Sequence, residues 1–125
     1  MSSLSAKGLL LCALLLSACT IAVHDPVAFE KRAKHVEMTY QVPMGVLFDC
    51  MMQSRQVPNW EYYTTKDTAY YGLKGVLRIR FTAVSDTETR VHAAGLTGGD
   101  PFTNPDLYIG LLNGCAADLE KKSPP

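Results

Sequence analysis

Cysteine and histidine are the residues of this chain best suited to metal binding and redox chemistry. The cysteines are Cys12, Cys19, Cys50 and Cys115, and the histidines are His24, His35 and His92. A structural zinc site usually takes four ligands at short, regular spacings, and no histidine here has such a spacing to a cysteine. A Cys-x-x-Cys motif, which many dithiol redox sites use, is also missing. We therefore expect neither a metal centre nor a redox centre.

Motifs for catalysis or nucleotide binding are equally weak. The glycines between Gly95 and Gly99 lack the Lys-Ser/Thr pair that completes a phosphate-binding loop. Ser54 and Ser85 have no local nucleophile signature. Carboxylates in predicted strands and turns, which we interpret as solvated, are Glu61, Asp67 and Glu88. The sequence predicts a protein that is not an enzyme and has no cofactor, and the alternative is a hydrolase whose triad is assembled from distant residues.

The charge balance narrows the choice of partners. The chain has 125 residues with 12 basic and 12 acidic side chains, so its formal net charge is zero. A nucleic-acid-binding domain needs a basic patch to neutralise phosphates, and this composition does not supply one. We therefore expect one folded domain of ordinary composition that does not bind nucleic acid.

The first 18 residues have the pattern of an export signal. Lys7 precedes the apolar run Gly8–Leu16, and the small residues Ser17 and Ala18 follow. This run is too short for a comfortable membrane span, which needs about 20 apolar residues. We predict a cleaved signal peptide, and the alternatives are an uncleaved anchor or a buried helix.

The end of this segment, Leu16-Ser17-Ala18-Cys19, resembles the lipobox of bacterial prolipoproteins. The resemblance covers the leader and Cys19 only. It implies that a peptidase cuts before Cys19, that its thiol carries a diacylglycerol and that its new amino group is acylated. Two or more acyl chains hold a protein stably on a membrane. In this family, Thr20 rather than Asp after the cysteine implies the outer membrane, facing the periplasm, if the host is Gram-negative.

Cleavage and lipidation would leave Cys50 and Cys115 as the remaining thiols. In an oxidising envelope, two such cysteines in a small domain are expected to form a disulfide. Residues 19–34 are then a lipidated cysteine followed by a short tether or helix, because Asp25-Pro26 is typical of a helix start over Pro26–Lys34.

The pattern of residues 35–122 predicts strands and helices in the order β-α-β-β-β-α. Alternating apolar residues indicate strands at His35–Val42, Trp60–Thr65, Tyr70–Val84 and Glu88–Leu96. Apolar residues at helical spacing indicate helices from Pro43 to Gln56 and from Pro105 to Lys122. We predict a single α+β domain with one antiparallel sheet of about four strands and both helices on one face. Residues 123–125 are expected to fray.

The last two predicted strands must form a hairpin whose register is limited by side-chain parity. Phe81 and Val91 both belong to the apolar faces, so they should lie opposite each other across the loop Ser85–Thr87. This register places Arg80 opposite His92 and Thr82 opposite Arg90, on the face away from the helices. Cys50 and Cys115 lie on the apolar stripes of the two predicted helices, so their disulfide is expected to join helix to helix over the sheet.

The face without helices is the predicted interaction surface. Its candidate residues are Arg78, Arg80, Arg90, His92 and Trp60. Arginine with aromatic residues is a combination enriched at protein interfaces. We expect a lipid-anchored envelope protein that binds another protein, as a subunit of an envelope or secretion assembly or as an inhibitor or immunity factor. The alternatives are an ordinary solvated face, or a ligand- or lipid-binding domain with a pocket lined by Met38, Phe48, Met51, Met52 and Tyr108.

Overall fold

A computed structural model describes residues 26–122 of the chain. In chain order, its elements are α1 (Pro26–Arg32), β1 (Lys34–Tyr40), α2 (Met44–Met52), β2 (Glu61–Thr64), β3 (Thr68–Leu73), β4 (Leu77–Ala83), β5 (Thr89–Gly95), a 3-10 helix (Pro101–Thr103) and α3 (Pro105–Lys122). The predicted leader, the lipidation at Cys19 and the frayed tail at 123–125 lie outside the described residues.

The strands form a single antiparallel sheet in the order β1-β5-β4-β3-β2. Its inner face carries the apolar residues of β4 and β5, such as Ile79, Phe81 and Val91, which are completely buried. The helices α2 and α3 cover this face with Leu47, Met51, Tyr108 and Leu112, among other side chains. The α+β class with a single antiparallel sheet is therefore confirmed.

The sheet has five strands rather than about four, because the segment predicted as one strand at Tyr70–Val84 forms two. Gly75 has a φ of 84°, a left-handed conformation that glycine adopts without a steric penalty. The Val76 N–H donates to the Leu73 carbonyl at 3.0 Å and closes the turn.

The helix predicted to run to Gln56 ends earlier, at Met52. The chain then turns, and the Ser54 N–H donates to the Met51 carbonyl.

The hairpin of β4 and β5 has the register predicted from parity. Phe81 is opposite Val91, Arg80 is opposite His92, and Thr82 is opposite Arg90. The Val84 N–H donates to the Glu88 carbonyl at 2.9 Å, so the loop contains the three residues at 85–87. Alternation along both strands therefore separates an apolar inner face from a charged outer face.

The disulfide between Cys50 and Cys115 joins α2 to α3. Cys50 lies next to the buried Met51, and Cys115 continues the apolar stripe of Tyr108 and Leu112. The Cα atoms are 6.0 Å apart, within the range that disulfides span. The predicted bridge between the two helices of the inner layer is confirmed.

The helices α2 and α3 share one face as predicted, and the short helix α1, for which no face was predicted, lies on the opposite face. Leu77 and Ile79 point inward, so Arg78 between them points outward, where it forms an ion pair with Glu30 of α1. Phe29 of α1 is buried, and so is Ala94, which is the outward-facing partner of Arg78 on β5. One end of the outer face is therefore covered.

Candidate interaction face of the sheet

The outer face of the sheet is the set of side chains that point away from α2 and α3. Its members are His35, Glu37 and Thr39 of β1, Arg90, His92 and Ala94 of β5, Arg78, Arg80 and Thr82 of β4, Thr68 and Tyr70 of β3, and Glu61 and Tyr63 of β2. They form rows across the sheet because the strands are paired residue by residue. Arg78, Arg80, Arg90 and His92, all predicted from the sequence, are brought together here.

The end of the outer face that holds Arg78 is occupied by α1. The Arg78 guanidinium pairs with Glu30 and lies 5.8 Å from the centre of the Phe29 ring, a cation–π geometry. The hydrogen bond from Arg78 is the largest cause of a lowered pKa of Glu30. Only 23% of the Arg78 side chain is exposed, so this residue is engaged within the protein.

Two histidines lie beside this ion pair. His35 Nδ1 and His92 Nε2 are 3.1 Å apart, and the two rings are stacked with their centres separated by 5.2 Å. His35 Nε2 lies 3.0 Å from the carbonyl oxygen of Glu30. The sequence prediction included His92 but not its contact with His35, because it did not predict that β1 pairs with β5. His35 links the sheet to α1.

The remainder of the outer face is open. The rings of Tyr63 and Tyr70 are stacked at 5.0 Å between centres, and Arg80 lies next to Tyr70 in the register of β3 and β4. Arg90 approaches Glu37 at 3.6 Å across the strand pair and stays more than half exposed. The side chains of Arg80 and Tyr63 are both exposed to solvent.

Trp60 does not belong to this face, which corrects its placement with the arginines. Its ring stacks on Tyr71 of the inner face at 6.1 Å, and it packs against the core. Tyr62 also points inward, with its ring 6.2 Å from Phe48, although 60% of it is exposed. Tyr63 is the aromatic residue of this segment that points outward, and parity along β2 is the signal that distinguishes it from Trp60 and Tyr62.

The residues proposed to line a pocket between sheet and helices are packed into the core instead. Phe48, Met51 and Tyr108 are buried, and Phe48 contacts Phe81 edge to face at 5.3 Å. Met52 packs against the same core, and Met38 is 36% exposed on the edge strand. A shallow open cleft does occur at the surface, lined by Met44, Gly45, Lys66, Asp67, Ala83, Val84, Ser85 and Asp86.

Residues 26–122 hold no group of three or more histidine, cysteine, aspartate or glutamate side chains arranged to bind a metal ion. Within the same residues, no helix combines the length and apolar character needed to cross a membrane. Burial is the largest cause of a lowered pKa of His92, and the neighbouring positive charge of Arg78 lowers it further. The open part of this face presents arginine, glutamate and tyrosine side chains, which form a contact surface of mixed charge with exposed aromatic rings.

Fold and site together define a small α+β domain whose sheet is covered by two helices on one side and partly by one short helix on the other. Comparisons with known protein families, with curated proteins and with solved structures found no match to this chain.

Proposed function

We propose that this protein is a lipid-anchored protein of the bacterial envelope, attached through Cys19, whose outer sheet face binds another protein. The proposal makes it a non-enzymatic accessory subunit of an envelope or secretion assembly. An inhibitor or immunity factor would use the same face in the same way. The anchor rests on the resemblance of Leu16–Cys19 to a lipobox.

The observation that carries the binding proposal is the open part of the outer face. Tyr63, Tyr70 and Arg80 are neighbours there, and Tyr63 and Arg80 are exposed. Tyrosine and arginine are enriched among interface residues that dominate binding energy, because they combine large contact areas with directed hydrogen bonds.

The alternative, a small-ligand or lipid-binding domain, has weaker support. Its expected pocket residues Phe48, Met51 and Tyr108 fill the space between sheet and helices themselves. A ligand would have to displace a close-packed core, and separating such side chains costs several kcal/mol. The outer face is available without any rearrangement of the core.

Site-specific photocrosslinking tests the binding proposal, and β2 offers a matched control. Tyr62 and Tyr63 are adjacent and similarly exposed, at 60% and 53%, but they point to opposite faces. A photoreactive phenylalanine analogue at position 63 should give a discrete crosslinked protein adduct in living cells. The same analogue at position 62 should give much less of it. Equal adducts at both positions, or none at position 63, would contradict the proposal.

A further inference from the structure

The contact between His35 and His92 restricts how many protons the two rings can carry. The Glu30 carbonyl oxygen can only accept a hydrogen bond, so His35 Nε2 carries a hydrogen and donates it. When both rings are neutral, His35 Nδ1 accepts and His92 Nε2 donates across the 3.1 Å gap. One added proton can be held in the same contact: His35 Nδ1 then carries a hydrogen and donates it to His92 Nε2, while His92 keeps its own hydrogen on Nδ1. Two added protons place an N–H on both facing atoms, and the hydrogen bond is lost.

The charged groups around the pair come from α1, β1, β4 and β5. Glu30 of α1 lies 3.5 Å from His35 Nε2, and Glu37 of β1 is directly opposite His92. Arg78 and Arg80 of β4 and Arg90 of β5 add positive charge, although Arg78 is paired with Glu30 and Arg90 approaches Glu37. The two carboxylates are thus already engaged by arginines. A second proton on the histidines therefore adds positive charge beside Arg78, and Glu30 and Glu37 offset that charge only in part because they also pair with arginines.

The strand ladder decides which atoms must move when both rings are charged. Positions 35 and 92 lie on the paired strands β1 and β5, so their backbones cannot separate without breaking the sheet. The rings must rotate apart instead. Because Nδ1 and Nε2 belong to one ring, rotating His35 Nδ1 away from His92 also takes Nε2 away from the Glu30 carbonyl. This carbonyl lies in the last turn of α1, where helix carbonyls lack intrahelical partners.

We propose that the His35–His92 pair is an acid-sensitive latch that holds α1 on the outer face and releases it when both rings are protonated. Release uncovers Phe29 and Ala94, which are buried in the docked state, and frees Arg78 from Glu30. These groups adjoin the open part of the outer face. The consequence for partner binding rests on the proposed function, whereas the release of α1 itself does not.

The direction of the pH dependence follows from His92. Burial is the largest cause of the lowered pKa of this imidazole. Release of α1 would expose this end of the face to water, so the released state binds the proton more readily than the docked state does. Docking is therefore fully stable above the ordinary histidine pKa of about 6.5. It weakens as the pH falls from there toward the lowered pKa of His92. Glu30 remains ionised in this window, because the hydrogen bond from Arg78 holds its pKa below the ordinary value.

Amide hydrogen exchange tests the latch without any partner. The Ala33 N–H donates to the Phe29 carbonyl at 2.8 Å and reports on the end of α1. Its protection factor, corrected for intrinsic exchange, should fall several-fold between about pH 7.5 and about pH 5, the range in which histidine gains its proton. Amides of β4 and β5 measured in the same experiment should keep their protection, which shows that the sheet stays folded.

The variant His92→Gln is the matched control, because the glutamine amide retains an N–H donor and does not titrate in this range. Its Ala33 protection should be the same at both pH values. The variant His92→Lys, which carries a permanent charge, should show low protection at both. Equal pH dependence in the wild type and in His92→Gln would overturn the latch. Loss of the crosslink at position 63 would instead contradict the proposed function and leave the latch standing.

Discussion

At the scale of single residues, the open part of the outer face depends on Arg80 and Arg90 for its positive charge. Both side chains are exposed, and the contact from Arg90 to Glu37 is long, at 3.6 Å. Exposed pairs of this kind contribute about 1 kcal/mol or less to stability. These arginines therefore contribute little to folding and are available for a partner.

Reversing both charges separates binding from stability. The double variant Arg80→Glu with Arg90→Glu should lose the crosslinked adduct formed at position 63, because the partner then meets negative charge. Its free energy of unfolding should stay within about 1 kcal/mol of the wild type. The comparison variant Arg55→Glu reverses an exposed charge after α2, away from the sheet face, and should keep the adduct. A large drop in melting temperature for the double variant would show that the arginines are structural.

The sequence predicts which residues lie on the outer face wherever the alternation of side chains along a single strand or hairpin decides the face. Alternation along β4 and β5 places Arg80, Arg90 and His92 on one side once Phe81 faces Val91. The contact of His92 with His35 was not predictable in this way, since it depends on the pairing of strands 57 positions apart in sequence. Trp60 was misplaced because it precedes β2 and is held by Tyr71, a tertiary contact that its local sequence does not reveal.

At the scale of elements, α1 differs most from its neighbours. Its seven residues make a helix too short to be stable alone, so contacts with the sheet must hold it. The sequence predicted the helix from its proline start but not the face on which it packs. That choice depends on Phe29, Glu30 and Arg78, which meet only when the sheet is assembled. The helices α2 and α3 were placed correctly because each has a continuous apolar stripe.

The disulfide between α2 and α3 is the cross-link on which the inner layer depends. Replacing Cys50 by Ala removes a closure between positions 65 residues apart. On the chain-entropy estimate this lowers the free energy of unfolding by roughly 4 kcal/mol. The midpoint of urea unfolding of this variant should therefore lie at a lower urea concentration than that of the wild type under oxidising conditions. Under reducing conditions the variant and the wild type should converge, and an unchanged midpoint under oxidising conditions would mean that the bridge does not stabilise the fold.

At the scale of the whole molecule, the proposed anchor sets how far the domain can stand from the membrane. Six residues separate Cys19 from Pro26, where α1 begins. Even a fully extended chain of this length spans only about 25 Å. The domain would therefore work close to the lipid surface, and release of α1 would lengthen its tether. Acidification would then expose more of the outer face and increase its reach at the same time.

Mass spectrometry of the protein extracted from bacterial membranes tests the lipid anchor most directly. We predict a chain that begins at Cys19, with a diacylglycerol on the thiol and an acyl group on the new amino terminus. The variant Cys19→Ser should accumulate with the leader uncut and without acyl mass. A wild-type protein that retains Met1, or that carries a free thiol at Cys19, would contradict the account.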